Sequence, residues 1–279
     1  MDIAYRQILV HLDAGERSGA RLDIARALAQ EHGASLAALY GALPSYVELP
    51  YAPELGPSVA ATLLELDNQR CASARGRFER TMQSPGPRAS WAEAREAGLI
   101  ACVAEQALYA DLMVLGQHDP SNDELTDVPA DFVPAVLLES GKPALVVPYA
   151  GRFDTRMDTV VVAWKPTREA ARAVSSALPL LRRASRVIVL QWAPQAMPVQ
   201  GHALDLAGFL RLHGVEPEWH TEGDETPRLG EYLLSRAADF SADLLVMGCY
   251  GHSRAREWVL GGTSRTLLAS MTLPVLMAH

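Results

Sequence analysis

The chain contains the same set of strand-like segments twice. Residues 110–116 (ADLMVLG) match residues 242–248 (ADLLVMG), residues 142–148 (KPALVVP) match residues 272–278 (TLPVLMA), and residues 7–13 (QILVHLD) correspond to residues 159–165 (TVVVAWK). A repeat of this kind indicates two copies of one βαβ-type domain. Because the offset between copies is 152 at the first strand and 132 at the fourth, the second copy is the shorter one.

Apolar runs of strand length alternate with helical patterns within each copy. In the first copy they predict strands at 7–12, 35–40, 88–94, 111–115 and 143–147, and helices over 59–82 and 99–109. The 59–82 helix is expected to pack through Leu63, Leu66 and Phe78. Such alternation predicts an α/β fold with two tandem doubly wound domains, each with a mainly parallel five-stranded sheet. The predicted domains are 1–149 and 158–279, and the short joint predicts an intramolecular pseudo-dimer.

Charge and cysteine content narrow the function classes. The net charge of −8 argues against nucleic acid or an anionic membrane as a partner, because both require a concentrated basic patch. The three cysteines are too few and too widely spaced for a disulfide framework or a zinc knuckle. The sequence shows neither a leader pattern nor an apolar run of membrane-spanning length, so we expect a cytoplasmic protein.

A glycine-marked loop in the second copy carries the clearest functional signal. A short apolar run, residues 244–247, ends at Gly248, where we expect a tight turn. Gly251 follows, then Gly261, and the hydroxyl residues Thr263 and Ser264 are expected to cap the next helix. Free N–H groups, hydroxyls and a helix N-terminus at one place form an anion site, most often for phosphate. The alternative is that the glycines only punctuate a strand–loop–helix turn.

This spacing resembles the nucleotide-binding signature of the universal stress protein family, Gly-x2-Gly-x9-Gly-Ser/Thr. One position departs from it, because Gly262 follows the last glycine where the family has a hydroxyl residue. The resemblance implies a flavodoxin-like or adenine-nucleotide-α-hydrolase-like fold, a stress-response regulatory function, and ATP or another adenine nucleotide as ligand, with Mg²⁺ accompanying it. It also implies that residues 143–147 pair with residues 273–277 within the chain.

By the same resemblance, the second-copy site is lined by residues that follow its first, second and fourth strands and by the glycine loop. They are Ala163, Trp164, Lys165, Trp192, Met247, Gly248, Gly251, Gly261, Gly262, Thr263 and Ser264. Lys165 stands where the family has an aspartate, whereas the first copy keeps an aspartate there, Asp13. The first copy keeps Gly116 but has no second glycine, and it carries acidic residues instead (Asp119, Asp123 and Glu124), which would repel a phosphate.

No catalytic motif accompanies the loop. The sequence has no GxxxxGK[ST], GxGxxG, GxSxG or HExxH pattern, and its histidines lack metal-ligand spacing. We therefore expect no catalytic residues, no metal site and no enzyme. Two alternatives stay open: an interaction module with a relic loop and an unknown protein partner, or a slow ATPase that would need a base such as Glu257. Cys249 is either an ordinary loop residue or a reactive thiol, and assembly into a homodimer stays open.

Overall fold

A computed structural model describes residues 4–45, 56–94, 98–120, 128–151, 153, 155–192, 203–223, 228–250 and 262–279. By their contacts these residues form two compact units, Ala4–Lys142 and Pro143–His279. No helix among the described residues is both long and apolar enough to cross a bilayer.

The first unit alternates strands and helices. Its elements are β1 (Gln7–Leu12), α1 (Ser18–His32), β2 (Ser35–Gly41), α2 (Pro57–Met82), β3 (Ala89–Ala94), α3 (Leu99–Ala107), β4 (Leu112–Gly116) and α4 (Phe132–Ser140). The strands lie in the order β3-β2-β1-β4, all parallel. Chain order reverses between β1 and β4, as in a doubly wound sheet.

The second unit repeats this arrangement and adds one strand. Its elements are β5 (Ala144–Val147), β6 (Thr159–Trp164), α5 (Arg168–Leu181), β7 (Arg186–Trp192), α6 (Leu206–Leu212), β8 (Glu218–Glu222), α7 (Leu229–Asp239), β9 (Leu244–Gly248), α8 (Gly262–Ser270) and β10 (Val275–Ala278). The order is β5-β10-β9-β6-β7-β8, and only β5 is antiparallel to its neighbour. The predicted α/β class with mostly parallel strands is confirmed.

Strand β5 belongs by sequence to the first copy but packs with the second. Val146 lies opposite Val275, and Ala144 lies opposite Met277, in an antiparallel pair. This confirms the predicted pairing of residues 143–147 with residues 273–277. Because β5 is apolar and fully buried, it needs cover on both faces and a partner along its edge. The units defined by packing therefore divide at Lys142, one strand earlier than the repeat in the sequence.

The repeated Ala-Asp-Leu motif has a structural cause. In the first unit the Asp111 carboxylate accepts hydrogen bonds from the backbone N–H groups of Arg6 and Gln7, at 2.7 and 2.9 Å. In the second unit the Asp243 carboxylate accepts from the N–H of Thr159 at 2.8 Å. Each aspartate thus satisfies donors at the start of the central strand, which would otherwise lack partners.

Helix α2 differs from its prediction. It extends over Pro57–Met82, but of its residues only Ala74 and Phe78 are buried. Leu66, predicted to lie on the packing face, is 39% exposed. The helix is 26 residues long, and only its C-terminal part meets the sheet. Helical periodicity identifies the face of a helix but not how far along the helix the neighbouring core extends.

Candidate functional site

The topology of the second unit creates one edge where ligand-binding groups can meet. Strand β6 is central, with β7 and β8 on one side and β9 and β10 on the other. Chain order therefore reverses between β6 and β9. The crevice at the carboxyl ends of such a pair of strands is the usual ligand position in an open α/β sheet. Ala163 of β6 is the register partner of Met247 of β9 at this edge.

The predicted site residues at the ends of β6, β7 and β9 reach this edge but divide between the two faces of the sheet. The register aligns Ala163 with Met247 and with Leu190, so Ala163, Met247 and Trp192 share one face because strand side chains alternate. Trp164 and Gly248 lie on the opposite face by the same alternation. Trp164 and Trp192 are half-buried and Lys165 is exposed. The two tryptophans therefore cannot stack on one planar ligand from the same side of the sheet.

Gly248 serves close packing rather than a turn. It is the last residue of β9 and its φ lies outside the left-handed region, so it does not use the backbone freedom of glycine. A Cβ at Gly248 would lie 2.4 Å from the backbone nitrogen of Ala170 and 2.6 Å from the carbonyl carbon of Glu169. Only glycine allows β9 to approach the N-terminus of α5 this closely. That N-terminus is capped by Thr167, whose hydroxyl accepts from the N–H of Ala170.

Helix α8 begins earlier than predicted. It starts at Gly262, so Thr263 and Ser264 lie inside its first turn and do not precede it as caps. The first turns of α8 pack closely against α7, because a Cβ at Gly230 would lie 2.8 Å from Thr266 Cβ and 3.0 Å from the Thr263 carbonyl oxygen. Ser264 is buried. Gly230 was not predicted as a site residue, although a glycine inside a helical pattern signals close packing.

Right-handed crossovers determine which face carries α8. In a parallel sheet, right-handed connections that run in opposite directions across the sheet place their helices on opposite faces. The connections from β6 to β7 and on to β8 run one way, and those from β8 to β9 and on to β10 run the other. Helix α5 therefore lies on one face, where it contacts Gly248, and α7 and α8 lie on the other. The N-terminus of α8 is thus on the same face as Ala163, Met247 and Trp192.

A buried carboxylate and a buried thiol lie next to the end of β9. The Glu169 side chain is 3% exposed and accepts a hydrogen bond from Arg168 Nε at 2.5 Å. Burial alone would raise the pKa of Glu169, but the Arg168 hydrogen bond and further donors hold it below its usual value. Burial, together with the Glu169 charge, raises the pKa of Cys249 to about 12. Cys249 is therefore protonated at neutral pH and does not have the character of a reactive thiolate.

The chain leaves β9 through an anchored and strained segment. The N–H of Cys249 donates to the Ala278 carbonyl at 2.9 Å, and its carbonyl contacts His279 Nδ1 at 3.2 Å. Tyr250 follows with φ of 56°, a conformation that costs energy for a bulky side chain. Gly251, Gly261 and Glu257 lie outside the described residues. Among the described residues, no group of three His, Cys, Asp or Glu side chains could hold a metal ion.

The corresponding edge of the first unit is filled by arginine side chains. Arg21 Nη2 lies 2.5 Å from Asp13 Oδ2 in an ion pair whose side chains are 7% and 15% exposed. Burial alone would raise the pKa of Asp13, but Arg21, His11 and the N–H of Gly15 bring it below its ordinary value. The sequence contained a signal for this pair, since Arg21 occupies the buried stripe of α1. Asp123 and Glu124, predicted to repel phosphate here, lie outside the described residues.

A second buried titratable group lies beneath this edge. His11 of β1 is 1% exposed, and its Nε2 lies 2.8 Å from the Gly41 carbonyl oxygen, so the neutral ring donates from Nε2. Its ring packs against Phe132. Burial lowers the pKa of His11 to about 4, with the nearby Asp13 raising it and Arg21 lowering it.

Comparison with known proteins agrees with this architecture. Residues 157–279 match the model of the universal stress protein family. A universal stress protein from Archaeoglobus fulgidus has a TM-score of 0.69 at 15% identity, covering 98% of this chain and 95% of that one. A Pseudomonas aeruginosa protein assigned to the same group has a TM-score of 0.62 at 18% identity, covering 99% and 93%. No curated protein sequence matches the chain.

At these identities the solved structures show the fold alone, whereas the family model matches the sequence itself. The matched segment contains β6 to β10, the reversal of strand order and the glycine spacing. The described residues before it form a unit whose four strands, β3-β2-β1-β4, have the same order and direction as β8-β7-β6-β9. Residues 157–279 are therefore a domain of the universal stress protein family, preceded in the same chain by a unit of similar fold.

Proposed function

We propose that the second unit binds ATP or another adenine nucleotide at the carboxyl edge between β6 and β9, and that the chain acts as a stress-linked regulator through this occupancy. The observation that carries the proposal is that Ala163, Met247, Trp192 and the N-terminus of α8 share one face at the reversal of strand order. An apolar surface beside a helix N-terminus matches the two halves of a nucleotide.

The apolar half of the proposed site is suited to a purine base. Ala163 has a small side chain and lies between Met247 and Trp192 on its face of the sheet, which leaves room above the sheet edge. Trp192 is half-buried at the end of β7 and so has ring surface available to a ligand. Stacking of a base on an aromatic ring contributes about 1 to 3 kcal/mol. We therefore assign Trp192 the stacking role in preference to Trp164.

The polar half of the proposed site is the first turn of α8. The first N–H groups of a helix have no partner within the helix, and the helix dipole makes this end attractive to phosphate. Gly262 is exposed and carries no side chain, so a phosphate can approach this backbone closely. Thr263 adds a half-buried hydroxyl.

We include Mg²⁺ with the nucleotide in this proposal. Glu169 is the buried carboxylate near the end of β9, but it lies on α5, on the opposite face from the N-terminus of α8, and Arg168 pairs with it. The metal would therefore be held mainly by phosphate oxygens and water.

Calorimetric titration of the full chain with ATP, ADP and AMP, with and without Mg²⁺, tests the proposal. We expect binding tighter than millimolar for ATP, and Trp192→Leu should weaken it roughly 5- to 30-fold through lost stacking. Two matched variants should leave the affinity unchanged: Trp164→Leu, on the other face, and Trp219→Leu, on the β8 edge strand and 37% exposed. A folded wild-type protein that binds none of the three nucleotides at millimolar concentration contradicts the proposal.

One observation favours a second candidate, an interaction module that does not use nucleotide. Lys165 stands where the family has a carboxylate. If the titrations show no binding, the glycine loop is a relic and a protein partner is the remaining ligand class. Phosphate release measured in the same samples tests the third candidate, the slow ATPase, for which we expect no turnover above the rate without protein.

A further inference from the structure

The carboxyl edge of the first unit has its polar groups occupied by the chain itself. Both oxygens of the Asp13 carboxylate are engaged: Oδ2 with Arg21 Nη2 at 2.5 Å, and Oδ1 with the N–H of Gly15 at 2.9 Å. Asp13 follows β1, which is the central strand and the one next to the reversal of strand order. In an open α/β sheet this is the position of an external ligand.

The Arg21 side chain also covers the end of β4. A Cβ at Gly116 would lie 1.9 Å from Arg21 Nη1 and 2.9 Å from Arg21 Cζ, so the guanidinium occupies the space that a side chain there would need. Arg21 is 6% exposed, and its Nε has no hydrogen-bond partner among the described residues. One planar cation thus fills the gap between the ends of the neighbouring strands β1 and β4.

A second arginine closes the loop above this gap. Arg77 of α2 places Nη2 2.9 Å from the Ala14 carbonyl oxygen, and 3.3 to 3.4 Å from Ser18 Oγ and from the carbonyl oxygens of Asp13 and Gly15. These acceptors belong to the turn between β1 and α1. Arg77 therefore satisfies the backbone groups that an external ligand would otherwise meet.

The fold itself does not require this arrangement. At the first-strand offset of 152, the residue of the second copy that corresponds to Arg21 is Ala173, which is fully buried in α5. There the helix backbone at Ala170 packs directly on Gly248, without an intervening side chain. The same topology is therefore built once with a guanidinium at the strand ends and once without.

We propose that Arg21 is an internal ligand, whose guanidinium occupies the binding edge of the first unit and closes it to external molecules. Because the gap faces the Asp13 carboxylate, it accepts a planar cation with paired N–H donors. Small-molecule binding at this edge then requires displacement of Arg21. The inference concerns the first unit alone and does not depend on nucleotide binding in the second.

Replacement of the internal ligand by a free one tests the proposal. In the full chain, Arg21→Ala should lower the midpoint of thermal unfolding by roughly 5 to 10 °C. Methylguanidinium should bind to this variant with a stoichiometry of about one and raise the midpoint again. Wild type and Arg17→Ala, an exposed arginine on the preceding turn, should show no such binding. The double variant Asp13→Asn/Arg21→Ala should also show none, because it lacks the carboxylate.

Two results overturn the proposal: methylguanidinium binding by wild type, or a folded Arg21→Ala that does not respond to methylguanidinium. Arg21→Met retains the packing of the side-chain stem and serves as a second variant, with guanidinium ion at low millimolar concentration as probe. If neither variant folds alone, methylguanidinium must restore the far-ultraviolet circular dichroism of Arg21→Ala, and failure to restore it also overturns the proposal. No nucleotide is present, so the result is separate from that of the nucleotide titration.

Discussion

The two carboxyl edges of this protein have one topology and different packing. In the first unit Asp13 is neutralised by the buried Arg21, and Arg77 satisfies the turn beside it. In the second unit Lys165 is exposed, the helix backbone packs directly on Gly248, and the buried Glu169 pairs with Arg168, whose side chain is 75% exposed. Duplication preserves the inner strands β1, β4, β6 and β9 because they are largely buried, whereas a single helix residue, Arg21 or Ala173, changes what lies at the strand ends.

The largest loss of stability is expected at Gly248, where the packing of β9 on α5 leaves no space for a side chain. Gly248→Ala places a methyl group 2.4 Å from a backbone nitrogen of α5, and backbone cannot rotate away as a side chain can. We expect a loss of about 3 kcal/mol in the free energy of unfolding, measured by urea denaturation. Gly262→Ala is the matched control, because no atom of the described residues lies within 4 Å of the added Cβ, and its effect should stay within about 0.5 kcal/mol. Equal effects would show that the close contact does not limit stability.

The next effect is a pH dependence carried by the first edge. His11 has its pKa lowered to about 4 in the folded state, whereas it titrates near 6.5 when unfolded, so the unfolded chain binds more protons between these values. Stability should therefore fall by about 2 kcal/mol between pH 7.5 and pH 5. The depressed pKa of Asp13 affects stability only below about pH 4. His11→Gln keeps a donor for the Gly41 carbonyl and should remove most of the slope in urea unfolding experiments.

If the stability of His11→Gln still falls between pH 7.5 and pH 5, titratable groups outside the first edge cause the pH dependence. The same experiment on Arg21→Ala links the pH response to the internal ligand, because removal of that cation should raise the pKa of His11.

The smallest effect concerns the second edge and its charge. Glu169 lies on α5, on the opposite face from α8, and Arg168 pairs with it, so Glu169→Gln should change the affinity for ATP without Mg²⁺ by less than about 2-fold. Calorimetric titration of both proteins measures the difference. A gain of about 5-fold or more, equivalent to about 1 kcal/mol, would show that Glu169 faces the phosphates.

Local sequence patterns predicted the elements of the first unit closely. The predicted strand at 7–12 matches β1, and the helix predicted over 99–109 ends only two residues later than α3. Both are local signals, since apolar runs and helical periodicity can be read within a few residues. The predicted site was less complete, because Glu169, Gly230 and Arg21 act through contacts with residues distant in the sequence.

The sequence by itself determined the duplicated α/β architecture, the strands that build it and the loop that marks the second copy, because repeats, apolar periodicity and glycine spacing are properties of the chain. Only the tertiary structure decided that Trp192 and not Trp164 shares a face with α8, and that Arg21 lies on Asp13. These facts depend on strand register and on side chains that meet across long stretches of sequence, and neither is encoded in any single segment.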